Sequence, residues 1–147
     1  MEFERFASST RKVSVGDVFA ALPNDGNGFI FGQVLADGVR LAGADLLLIA
    51  FFAGRSTEAV VDCERVQKAH IVGVPIITNR TAWRDGRFKR LQNCPLPARR
   101  IGIRRELHGD VLALDGHSAR AEDFDILAPD LLSPYGAIAR KLAHLGV

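Results

Sequence analysis

Cysteine is scarce: 147 residues hold two, Cys63 and Cys94. They form no C-x-x-C pair and no zinc-like spacing. Both sit among apolar or proline neighbours, and the expectation is a pair of reduced thiols, with one disulfide as the alternative. Long apolar runs are missing as well. The longest, Leu46 to Ala53, has eight residues, against roughly 20 for a membrane-spanning helix. The opening Met1-Glu2-Phe3-Glu4-Arg5 is acidic and carries no apolar core of a signal peptide. These absences lead to an expectation of a cytoplasmic protein with no membrane partner.

Strong net charge is also absent. The formal balance of +2 by itself predicts neither nucleic-acid nor membrane binding. Four histidines (His70, His108, His117, His144) show no H-x-H or H-E-x-x-H spacing. His108 and His117 lie near Asp110 and Asp115, the one group that could supply metal ligands or acid–base chemistry; in Gly-rich turns the preferred reading is that these residues are simply exposed. Gly26-Asn27-Gly28 lacks the length and the Lys-Ser/Thr of a phosphate-binding loop and reads as a hairpin turn. Cys63 has no evident base beside it and reads as a packing residue. No catalytic residue, metal site or cofactor is assigned.

What is present is ordinary globular material. Hydrophobic residues make up 48% and charged residues 24% of the chain, enough for a core without low-complexity segments. A polar lead-in over 1–12 precedes one domain over 13–147. Strands are expected on each side of Gly16-Asp17, followed by a turn over Pro23 to Gly28 and a return strand from Phe29 to Leu35. Phe29, Phe31, Gln33 and Leu35 share one face of that strand, and Ile30, Gly32 and Val34 the other. Gly32 within a strand predicts a bulge or a close backbone approach. Asp37-Gly38 reads as a turn. Leu46 to Phe52 reads as a strand buried on both faces.

Further on, Ser56-Thr57 could cap a helix from Glu58 to Ala69, with Ala59, Cys63, Val66 and His70 inward. Ile71 to Thr78 with its Pro75 reads as an edge or bulged strand. Asn79 to Gly86 reads as a turn carrying the only tryptophan, Trp83, and Phe88 to Cys94 as a short strand. Arg100 to Leu107 and Asp110 to Leu114 read as a strand pair. The chain closes on a helix, with Ser133 as N-cap, Pro134 at its first position and Gly146 at its C-terminal cap. Its inner face carries Ile138, Leu142 and Leu145. The expected fold is α+β: a curved, mainly antiparallel sheet or partly open barrel, with one or two helices packed on it, the C-terminal helix among them.

The charge distribution carries the clearest functional hint. Between Arg84 and Arg105 stand eight Lys or Arg and one acid, Asp85; an acidic stretch follows. Trp83 and Phe88 interleave with Arg84, Arg87 and Arg90. That pattern reads as a solvated basic face, as a docking surface for an acidic protein, or as a nucleic-acid site working through phosphate contacts and stacking. Trp83 alone reads first as a core or rim packing residue.

Several motifs then occur in order: Val15-Gly16-Asp17-Val18-Phe19-Ala20, Phe31-Gly32-Gln33-Val34-Leu35, Trp83 in a polar turn, and Asn93-Cys94-Pro95-Leu96-Pro97. Over about Val13 to Pro97 the chain resembles immunity protein family 26, bacterial proteins that pair with secreted polymorphic toxins. It departs from that pattern at Arg84 to Arg90 and at Ala50 to Gly54. The resemblance implies a cytoplasmic inhibitor that binds and neutralises a cognate toxin domain, with Trp83, Arg84, Arg87, Phe88 and Arg90 as contact candidates. Gly16, Asp17, Phe19 and Gly32 would then serve the scaffold. The family label also carries a phosphotriesterase association, which implies a metal-dependent hydrolase as a third reading, with only His108, Asp110, Asp115 and His117 to draw ligands from.

Overall fold

A computed structural model describes residues 1–8, 11–41 and 43–147. Ser9 and Thr10, within the expected lead-in, lie outside the described residues. The chain is α+β, with nine strands in two sheets among the described residues. The larger sheet has the order β4-β3-β2-β1-β5 and is antiparallel throughout. Its strands are β1 (Asp17–Ala21), β2 (Ile30–Leu41), β3 (Ala44–Phe51), β4 (Ile76–Thr78) and β5 (Lys89–Asn93). The smaller sheet, β8-β7-β6-β9, joins β6 (Ile101–Arg104), β7 (Val111–Leu112), β8 (Ser118–Ala119) and β9 (Ile126–Pro129). Within it β6 and β9 run parallel.

The two faces of the larger sheet are covered differently. Phe19, Ile30, Val34, Leu47, Ile49 and Phe51 point to one face and pack with Trp83, Phe88 and the C-terminal helix α3 (Tyr135–His144). Leu35, Leu46, Leu48 and Ala50 point to the other and pack against Ile103 and Ala128 of the smaller sheet. Alternate residues of β3 therefore enter two different cores, which is why its sequence from Leu46 to Phe51 is apolar without interruption. Gly32 answers to the close-approach reading: a Cβ there would sit 2.5 Å from Phe19 Cζ and 2.7 Å from the Ala50 carbonyl.

Several expectations are corrected. The first strand begins only at Asp17, because Val15-Gly16 forms the turn before it. The strand β2 runs through Asp37-Gly38 to Leu41, absorbing the irregularity as register shifts between Val34 and Val39. The first helix, α1, is confined to Cys63–Lys68 and is capped by Asp62, whose carboxylate accepts from the Glu64 amide at 3.0 Å. Ser56 starts no helix because its backbone bridges Phe29. His70 and Ala59 consequently leave the inner face, and only Val66 of α1 is buried. The expected turn at Trp83 is a short helix, α2 (Thr81–Arg84). Ser133 does not cap α3 with its side chain; it is 1% exposed and its hydroxyl accepts from Lys141 Nζ at 2.8 Å. The polar lead-in is anchored: Phe3 is 3% exposed and its ring meets Phe88 at 5.5 Å.

The two cysteines are not free thiols. Cys63 and Cys94 are disulfide-bonded, with Cα atoms 5.4 Å apart, within the reach such a bond needs. The cause is tertiary: α1 folds back over the end of β5, a juxtaposition that neither cysteine's neighbours encode.

Candidate functional site

The motif residues meet in a single buried network. Gly16 sits at φ +91°, and a Cβ there would lie 2.8 Å from the Cys94 carbonyl, so backbone conformation and close approach both require glycine. Its amide donates to the Val34 carbonyl at 2.8 Å, and its carbonyl accepts from the Cys94 amide at 3.0 Å. Gln33, fully buried, donates through Nε2 to the carbonyls of Gly16 (3.1 Å) and Cys94 (3.0 Å). Asp17, 1% exposed, accepts from the Ser14 amide (2.9 Å) and Asn93 Nδ2 (3.0 Å) and pairs with Arg90 Nε (3.1 Å). Segments around positions 16, 33 and 93 are thereby tied together. Buried polar groups carry a cost unless paired; within this network Gln33 Oε1 has no partner among the described residues. The arrangement ties the start of β1 to β2 and to the end of β5.

The five contact candidates separate in space. Trp83 is 5% and Phe88 2% exposed. Their rings meet each other at 5.0 Å and Phe19 at 5.1 and 4.7 Å. In this structure they are core residues, because the water-excluded side of the sheet is where such large apolar surface is best placed. Arg87 is half-buried, donates to the Phe3 carbonyl and lies 5.8 Å over the Tyr135 ring. Arg90 is held by Asp17. Arg84 is the exposed member of the five.

The basic stretch loses much of its charge asymmetry on folding. Arg105 and Asp110 form a two-pronged pair at 2.8 and 2.6 Å, which holds the Asp110 carboxyl below its usual range and raises Arg105. Arg100 lies 3.5 Å from Asp125, whose carboxyl is lowered chiefly by the Arg100 backbone amide and then by its side chain. Asp115 is lowered by the His117 backbone amide and then by its imidazole. Arg100 and Arg105 flank β6, and its neighbours β9 and β7 bring Asp125 and Asp110 against them. Asp110 and Asp115 are thus engaged by Arg105 and His117, and among the described residues no three His, Cys, Asp or Glu side chains form a ligand cluster.

Two surface concavities stand out. A cleft of about 470 Å³ beside Trp83 is lined by Arg11, Lys12, Arg80 and Arg84. A groove of about 590 Å³ runs between residues 72–76 and α3. Neither was legible from the stretch 84–105. Lys12 and Arg80 lie outside it, and of the groove residues Leu142 and Leu145 read in the sequence only as the inner face of the closing helix, although Leu145 is 51% exposed.

The family model described as Immunity protein 26 matches residues 14–104. The chain belongs to this family. No curated protein and no solved structure matches it. The matched region of this immunity protein 26 member runs through β6 and contains the whole Gly16–Asp17–Gln33–Asn93 network, Trp83 and both disulfide cysteines. Strands β7 to β9 and α3 lie beyond it. Membership assigns the chain an immunity function and, in general terms, a toxin as its partner.

Proposed function

We propose that this immunity protein 26 member neutralises one cognate toxin domain by stoichiometric binding, without catalysis. The family match over residues 14–104 carries the reading. It is supported by a scaffold whose motif residues Gly16, Asp17, Gln33 and Asn93 bond to one another inside the fold. Co-expression tests it: the toxin domain encoded beside this chain should arrest bacterial growth alone, and the chain should restore growth and co-purify with it one to one. Undiminished toxicity, with no complex, sinks the reading.

The proposed place of action is the cytoplasm, and the Cys63–Cys94 bond counts against it, because cytosolic thiol systems keep most cysteines reduced; alkylation of living cells before lysis decides. Two alkylated thiols would agree with a cytoplasmic site, whereas an intact Cys63–Cys94 bond would argue for an oxidising compartment.

A further inference from the structure

Exposed aliphatic residues gather on one side of the molecule. Val74, Leu131 and Leu145 are 48%, 57% and 51% exposed, and all three line the groove beside α3. Single exposed leucines are ordinary on a protein surface; several converging on one concavity form the kind of patch that a partner covers. The groove's rim is basic. Arg140 and His144 are exposed and Lys141 is half-buried, and no acid lines the groove among the described residues. Lys141 is held by Ser133 Oγ at 2.8 Å, whereas the Arg140 side chain makes no hydrogen bond or ion pair among the described residues.

We infer that this groove is where the toxin docks, through one or two apolar side chains flanked by carboxylates. The inference rests on the immunity reading above and adds the surface. Charge complementarity selects the occupant. A second copy of this chain would bring its own Arg140, Lys141 and His144 against the first set, an arrangement that like charges disfavour. A nucleic acid would use the cations but would gain little from an aliphatic floor. An acidic protein surface with an apolar anchor uses both, in the pattern of buried anchor and charged rim that concentrates binding energy. One wall, residues 72–76, lies inside the family match; the other, residues 129–145, lies outside it.

The test measures Kd between the full chain and the toxin domain encoded beside it. Wild type is compared with Leu131→Asp, Leu145→Asp, Arg140→Glu and a control, Leu107→Asp, at a 95%-exposed leucine outside the groove. Each replaced side chain is at least half exposed or fully on the rim, and circular dichroism checks that each variant folds. The two leucine variants in the groove should weaken binding roughly 30-fold or more. Arg140→Glu should slow association in a salt-dependent way, and Leu107→Asp should match wild type. Folded groove variants that bind as wild type does would overturn the docking site and leave the immunity reading standing. A wild-type chain that neither binds nor protects would end the immunity reading, and the groove assignment with it. Self-association abolished by Leu145→Asp, with toxin binding unchanged, would hand the groove to a second copy and also overturn the inference.

Discussion

Arg90 reaches from β5 to Asp17 at the head of β1, and its Nε stands 3.1 Å from a carboxylate that is 1% exposed. A residue whose sequence setting suggests a solvated basic face is thus spent on pinning the first strand to the last strand of the same sheet. The pair should behave as structure. Asp17→Ala removes the acceptor for the Ser14 amide, Asn93 and Arg90 together, and should cost about 3 kcal/mol or more of unfolding free energy. In a cycle with Arg90→Met the two losses should fall short of additive. Urea unfolding reads both; an unchanged midpoint for Asp17→Ala would show that the network holds nothing together.

Two glycines separate conformational strain from crowding. Gly26 has φ +77° and open space where a Cβ would stand, while Gly16 has φ +91° and the Cys94 carbonyl 2.8 Å from that position. Gly26→Ala should cost about 1–2 kcal/mol. Gly16→Ala should cost that plus a further 1–3 kcal/mol or so from overpacking. Equal midpoints for the two variants would count against a tight turn at Gly16.

The disulfide closes a loop with a sequence separation of 31. Constraint of the unfolded chain by a loop of this size is worth about 3–4 kcal/mol. Reduction, or the double change Cys63→Ser with Cys94→Ser, should lower the thermal midpoint accordingly. The six-residue α1 is too short to persist alone, so its amides should lose hydrogen-exchange protection first. A midpoint indifferent to reductant would mean that the bond is not formed in the protein tested.

Acid should destabilise the fold from one side. Asp25 is lowered to about 2, first by the Arg55 side chain, which grips both its oxygens at 3.1 and 2.8 Å. Its folded value lies below its unfolded one, so its contribution is fully present above about pH 4 and is lost as the pH falls toward 2. The lowered carboxyls of Asp110, Asp115 and Asp125 act in the same direction. Stability should therefore be flat from pH 7 to about 5 and fall below 4. Arg55→Gln should remove the share owed to Asp25, and it also releases the contact to the Val147 carbonyl. A chain equally stable at pH 2 and pH 7 would refute this account.

Much of the fold was legible. The apolar run at Leu46 to Phe52 fixed an interior strand, the Asn-Asp-Gly cluster fixed the turn between β1 and β2, and the spacing of Ile138 and Leu142 fixed the closing helix. The strand β9 (Ile126–Pro129) escapes a reading by pattern because four residues ending in proline carry no period; it is a strand because β6 lies beside it. The helix α1 is shorter than its pattern suggests because Ser56, a good cap by residue type, gives its backbone to Phe29. At the candidate site the family motif was readable, but which side chains faced water was not.

By itself the sequence determined the fold class, the main strands, the closing helix and the family, because these depend on local period, turn chemistry and motif order. Only the tertiary structure decided that Trp83 and Phe88 face the core, that Arg90 belongs to Asp17, that Cys63 meets Cys94, and that Val74, Leu131 and Leu145 share one groove. Each of these is a meeting of residues far apart in the chain. Packing and charge pairing choose among many such partners, and no local pattern records the choice.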